Sequence, residues 1–364
     1  MAGSSAEEAV ALMKSAEKHS QKKLFRQPDW DTAASEYEKA AKIYAFLEDT
    51  VRACDAWRKA SEMHQKAKNK FFAARTMESI AIFLGEQARK GIVGDASLLK
   101  SAVEAYFEAS KLYALNDMFE RQSGSLKKAA ELLNLGIGVA RAAETEVDRA
   151  ELQQQHQQRV QQVIGFFREG VNVLEEHIED KPVVAVQLPE LYHSWMLVHL
   201  HNGDVRGAVE VLEQQLGIST DPRKKGVFEW LVQPHKSAKV GLEIIVLCLS
   251  CGDEVWARQE MSKLRGVTGF STSKEEKAAS ALISSFEDRD EEQLETAVKD
   301  QTLQFITADI SRIARKLKLR FSAPQGNDLV ASSSSSLLQH QPPGEQRLGQ
   351  QQLEVELDSE EDIR

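Results

Sequence analysis

The chain has 364 residues, 42% of them hydrophobic, and sets 46 Lys and Arg against 56 Asp and Glu for a formal charge of −10. That length allows one large domain or two to three ordinary ones, and the acidic balance argues against a nucleic-acid binder, which would carry a basic domain or stripe. No apolar run approaches the ~20 residues needed to span a bilayer, Glu7 and Glu8 stand where a secretory signal would be apolar, and three cysteines make no disulfide framework, so the expectation is a soluble intracellular protein.

Proline placement sets the fold class. None of the eight prolines lies between Trp30 and Lys181. Proline breaks helix interiors, and this stretch is rich in the strong helix formers Ala, Leu, Glu, Lys and Gln. No alternating β-branched run with Asn-Gly or Asp-Gly turns occurs. The sequence therefore predicts an all-α fold.

In chain order, a first helix is predicted over about residues 6–23. The segment KKLFRQP (residues 22–28) follows as a loop that places Leu24 and Phe25 between Lys22, Lys23 and Arg26. Apolar side chains flanked by cations suit shallow insertion among anionic lipid headgroups; the alternative is that they cap the first hairpin core. The second helix presents Ala33, Ala34, Tyr37, Ala40, Ala41, Tyr44 and Leu47 on one face, with Asp31 and Thr32 as candidate N-terminal caps.

That helix has an echo. ASEYEKAAKIYA (residues 34–45) returns 69 residues later as VEAYFEASKLYA (residues 103–114), so Tyr37 answers to Tyr106, Ala40 to Ala109 and Tyr44 to Tyr113. The spacing is about twice the ~34-residue unit of tetratricopeptide hairpins. Trp30, Ala33, Ala34 and Tyr37 also fit the W-x2-L-G-x2-Y opening of that repeat, with Ala for Leu and Gly. Later stripes are Val160, Val163, Ile164, Phe167, Val171 and Leu174, then Ala208, Val211, Leu212 and Leu216, then Ile306, Ile310, Ile313 and Leu317. Gly91/Gly94, Gly136/Gly138, Gly203, Asp221-Pro222, Gly252 and residues 288–290 punctuate them, about one helix per 17 to 20 residues. The expectation is a tetratricopeptide-like, right-handed helical-hairpin solenoid with a C-terminal helical bundle over residues 1–321. Residues 322–364 hold no aromatic residue, a serine run and a Gln/Pro-rich stretch; they read as a disordered linker and acidic end. That tail has eight acids and two bases, a net −6, which leaves the body at only −4.

Catalytic and metal-binding signals are weak. Cys248-x-x-Cys251 lies in an apolar stretch without a second cysteine pair, and a zinc site wants four ligands; the pair reads as buried core thiols. His193, His199 and His201 lack a carboxylate framework and read as packing or surface histidines. Gly136-x-Gly138 lacks a third glycine and a preceding strand, and no G-x4-G-K-[ST] occurs. No enzyme, cofactor or metal site is expected. Surfaces and ends remain: a basic run from Arg312 to Arg320 that closes the last helix, a cluster of Arg121, Lys127 and Lys128, most simply a solvated helix face, and Glu360, Glu361 and Asp362 preceding Ile363 and Arg364. An acidic end with one apolar plug suits a basic partner surface.

AEKHSQKKLFRQPDWDTAASEYEKAAKIY (residues 16–44), LVHLHNGD (residues 197–204) and KAASALISSFEDRDEEQLETAVKD (residues 277–300) resemble the soluble NSF attachment proteins, specifically the gamma type. With the helical spacing between them, the resemblance covers about residues 6–320. The ending EEDIR resembles the terminus of the alpha and beta types, with Ile363 where those have Leu. The resemblance implies a non-enzymatic adaptor that grips bundled SNARE coiled coils and recruits the hexameric ATPase NSF to pull them apart. It serves vesicle fusion and membrane trafficking, including ER–Golgi transport, from the cytoplasm and the membrane periphery. Leu24 and Phe25 match the family's membrane-attachment loop, and Glu360, Glu361, Asp362 and Ile363 match its ATPase-stimulating end. Arg121, Lys127 and Lys128 become candidates for the SNARE contact, because spread cations hold an acidic bundle without reading an exact sequence. The Ser/Gln/Pro linker is longer than the family's usual tail. A second reading is a tetratricopeptide-like peptide-binding scaffold with no ATPase partner; a third is an all-α enzyme using Cys248, Cys251 and nearby histidines.

Overall fold

A computed structural model describes residues 2–22, 27–90, 96–142, 149–218 and 225–319. The chain divides into two units, Met1–Leu319 and Arg320–Arg364. The second unit lies outside the described residues, as do Leu24 and Phe25.

In the first unit, nine helices follow one another and each packs on the next: α1 (Ala2–Ser20), α2 (Trp30–Phe46), α3 (Thr50–Lys66), α4 (Lys70–Lys90), α5 (Ala96–Ala114), α6 (Phe119–Ala142), α7 (Arg149–Glu175), α8 (Leu188–His201) and α9 (Val205–Gln215). A 3-10 turn, Pro182–Gln187, leads into α8. Beyond α9 the pattern changes. Helix α11 (Pro234–Ser250) touches α9, α10 (Val227–Trp230), α12 (Glu254–Leu264), α13 (Lys274–Glu287) and α15 (Ala308–Ala314), while α14 (Glu291–Ala297) packs on α13. The sequence explains this hub: α11 buries residues all round its circumference from Ser237 to Leu249, where an ordinary surface helix buries one stripe. Among the described residues there is no strand. The unit is an all-α solenoid of consecutive helices that runs into a helical bundle.

The apolar stripes are the buried ones. Ala33, Ala34, Tyr37, Ala40, Ala41 and Tyr44 are all buried in α2, and Val160, Val163, Ile164, Phe167, Val171 and Leu174 in α7. The α2 cap differs from expectation. Asp29, not Asp31 or Thr32, is the N-cap; it accepts the Thr32 N–H at 3.0 Å and the Thr32 hydroxyl at 2.8 Å, so the helix begins at Trp30. Helices α2, α3 and α5 end alike, with Glu48 (φ 57°), Lys68 (φ 62°) and Asp117 (φ 53°) in the left-handed region. The next N–H in each case bonds back to the helix, from Asp49 to Tyr44 O, Asn69 to His64 O and Met118 to Tyr113 O.

The repeat has a different period from the one its spacing suggested. Helices α2 and α5 are three helices apart, with α3 and the 21-residue α4 between them. An odd step reverses direction in an antiparallel stack. Tyr37 and Tyr44 floor a groove of about 250 Å³ between α1 and α3, whereas Tyr106 floors one of about 100 Å³ between α4 and α6. The echoed tyrosines thus serve opposite layers. Two further expectations are corrected. Gly136 and Gly138 lie inside α6 and interrupt nothing, and α15 ends at Ala314, so of the basic run only Arg312 stands in its last turn, paired with Asp309 at 2.8 Å.

Candidate functional site

The candidate cations sit near the start of α6 but face different neighbours. Residues 121 and 128 are two helical turns apart and share a face. There the Arg121 guanidinium lies 5.3 Å from the Phe71 ring centroid and 5.9 Å from that of Tyr113. The Lys128 ammonium lies 2.6 Å from Glu78 and 5.7 Å from the Tyr106 ring. Lys127, a hundred degrees round the helix, turns instead to Glu190 on α8 and to Glu131, the latter at 3.7 Å. The structure therefore brings Arg121 and Lys128 together over an aromatic layer and separates Lys127 from them.

Glu78 organises that layer. Its two oxygens accept from the Tyr113 hydroxyl at 2.9 Å and from Lys128 at 2.6 Å, linking α4, α5 and α6. Burial, reinforced by the Glu78 charge, pushes both the Tyr106 and Tyr113 hydroxyls up to about 12. Both tyrosines therefore remain neutral hydrogen-bonding groups at physiological pH, and the layer's charge is carried by Arg121, Lys128 and Glu78.

The loop carrying Leu24 and Phe25 is described only at its base. There Asp29 N–H donates to His19 O at 2.9 Å, closing the loop across the end of α1. Lys66, from the end of α3, lies 5.1 Å from the ring centroid of Trp30, the first residue of α2. Sequence reasoning passed over this neighbourhood. The available signal was a stretch between Glu62 and Glu78 that holds Lys66, Lys68, Lys70 and Arg75 and no carboxylate. Glu360, Glu361, Asp362 and Ile363 lie outside the described residues.

The residues considered for chemistry have local explanations. His199 accepts the Trp195 indole N–H at Nε2 (3.1 Å), which leaves Nδ1 to donate to Asp204 at 2.8 Å. Asp204 also caps α9 by accepting the Gly207 N–H at 2.9 Å. Gly203, at φ 77°, completes the turn, so the LVHLHNGD motif is a helix stop, turn and cap. His201 lies 3.8 Å from Asp309, and burial lowers the pKa of His193. Cys248 is buried, and burial raises its thiol pKa, but Cys251 is exposed at the C-cap of α11, so the pair is not a buried core pair. Among the described residues, no group of three or more His, Cys, Asp or Glu is placed to hold a metal ion, and no helix is long and apolar enough to cross a membrane.

Fold and surface together define a helical-repeat protein whose clustered cations and aromatics lie on a helix face. No family model matches the chain. It is 24% identical over 315 residues, 86% of this chain and 83% of the relative, to the gamma-soluble NSF attachment protein of Dictyostelium discoideum. The chain is thus similar to a soluble NSF attachment protein along most of both sequences. Among solved structures, one described as a circular tandem repeat protein with novel repeat topology and enhanced subunit contact surfaces aligns with a TM-score of 0.41 and 15% identity, over 85% of this chain and 74% of that one.

Proposed function

We propose that the chain is an adaptor of the gamma type, which binds SNARE complexes and recruits and stimulates the NSF ATPase for their disassembly in membrane trafficking. The observation that carries this reading is a likeness to a gamma-soluble NSF attachment protein that extends over 86% of the chain. The all-α repeat body supports it, since a stack of helices offers an extended surface to a coiled coil.

In this reading Arg121 and Lys128 contact the acidic bundle, with Lys127 a lesser contributor because its side chain is less exposed (20% against 46% for Lys128) and lies between two acids. Leu24 and Phe25 attach the N-terminal end to the membrane from the cytoplasmic side. Glu360, Glu361, Asp362 and Ile363 engage the ATPase. Weak contacts of each kind gain from acting together. The experiment is a pull-down on an immobilised SNARE complex. The adaptor reading expects retention of this chain and, through it, of NSF. Retention of neither, with a client peptide bound instead, would favour a scaffold that has no ATPase partner.

A further inference from the structure

We infer that one edge of the solenoid, formed by the α3–α4 and α5–α6 turns, is a docking surface for anionic lipid and extends membrane contact well beyond the α1–α2 loop. The inference rests on the adaptor reading only for the identity of the membrane as partner; the edge itself is built from residues 66–121.

Alternation of direction puts the start of α2, the α3–α4 turn and the α5–α6 turn on one edge, and hydrogen bonds knit them together. The Asn69 side-chain amide donates to Asp31 at 2.7 Å, tying the α3–α4 turn to the start of α2. The Lys70 ammonium donates to Leu115 O at 3.3 Å, tying the same turn to the end of α5. Along this strip Lys66, Lys68 and Lys70 are all exposed, and no ion pair engages them among the described residues. Beside them two apolar side chains are exposed: Phe72 (44%), two residues on from Lys70, and Leu115 (61%), whose carbonyl Lys70 reaches. The acids of the strip, Asp29, Asp31, Asp117 and Glu120, belong to the flanking connections, and the α3–α4 turn between them holds three lysines and no carboxylate.

The opposite edge supplies the contrast. At the α2–α3 turn Phe46 and Val51 are more exposed still (84% and 79%), but they flank Glu48 and Asp49, which Lys90 and Arg52 pair at 3.0 and 2.6 Å. Apolar side chains beside such neutralised pairs gain no electrostatic attraction to an anionic surface, whereas those beside unpaired lysines do. Exposed apolar side chains on turns that carry unpaired lysines suit shallow insertion among anionic headgroups.

The test is flotation of the full chain with phosphatidylcholine vesicles, with and without phosphatidylserine, after melting curves have shown each variant folded. K68E/K70E should weaken binding to phosphatidylserine vesicles by about fivefold or more per lysine, and L115S severalfold, while F46S on the opposite edge binds as wild type. Wild-type flotation by K68E/K70E and L115S would overturn the inference, and would leave the loop reading standing if L24S/F25S alone lost the vesicles. Unchanged flotation with weakened SNARE-complex binding would assign the edge to an acidic protein and equally overturn it. Failure of the adaptor reading shows separately, as absence of SNARE and NSF retention in the pull-down.

Discussion

Tyr113 donates its hydroxyl to Glu78 at 2.9 Å, joining α5 to α4 across 35 residues of sequence. The same carboxylate holds Lys128 of α6 at 2.6 Å, so one acid on one helix fixes the orientation of the two that follow. A SNARE-facing cation layer on α6 would depend on that support.

Replacing Tyr113 by Phe should therefore cost about 1 kcal/mol of stability, the net worth of one hydrogen bond, readable as a lowered midpoint in urea. In the adaptor reading it should also loosen Lys128, and R121E/K128E should weaken SNARE-complex binding about tenfold more than K127E does. Equal losses for the two would mean that the face shared by Arg121 and Lys128 has no special part.

Glu243 gives a pH signature. It is buried on α11 and accepts the Thr307 N–H at 2.7 Å, 64 residues away; burial raises its pKa above the ordinary carboxylate value, against the opposing pull of Thr307 and Lys239. The folded state then binds more protons than the unfolded one between the ordinary and the raised value, so this group's contribution to stability falls as pH rises through that window. E243Q keeps the acceptor oxygen and removes the charge. Its melting temperature should exceed that of wild type at pH 8, with the difference shrinking toward pH 4; a constant difference would contradict the assignment.

Gly241 and Val232 should respond in opposite directions. A Cβ on Gly241 would stand 2.5 Å from the fully buried Phe270 ring, so G241A should cost about 1–3 kcal/mol by overpacking. Val232 is 83% exposed and held at φ 54°, a conformation that glycine adopts without a Cβ penalty. V232G should raise stability by up to about 1 kcal/mol, readable as a higher midpoint in urea, since relief of the left-handed strain outweighs glycine's extra unfolded-state entropy.

These pairs show what the sequence made legible. The α2 and α7 stripes could be read because a helix periodicity is local, and every residue named for them within those helices is buried. The 69-residue echo was also real, but spacing counts residues and not turns, and α4 is long enough to make three helices resemble four. Asp29 was missed as the α2 cap because Asp31 and Thr32, two and three positions on, are equally good capping residues; the backbone, not composition, chooses among them. Gly136 and Gly138 read as breaks although α6 carries them, since glycine weakens a helix without forbidding it. The Glu78 layer was invisible for a different reason: its members, Glu78, Tyr113 and Lys128, meet only after helices from distant stretches of sequence stack.

If Glu360, Glu361, Asp362 and Ile363 engage the ATPase, deleting residues 360–364 should leave SNARE-complex binding within about twofold while reducing disassembly by about tenfold or more, a loss of the order expected when charged anchor contacts go. Loss of binding itself would place the SNARE contact in the tail.

The most direct measurement is ATP-driven dissociation of a fluorescently labelled SNARE complex by NSF, with and without this chain. The adaptor account predicts little dissociation by NSF alone and rapid dissociation once the chain is added, requiring ATP hydrolysis. Dissociation at the same rate with and without the chain, under conditions where it binds the complex, would contradict that account.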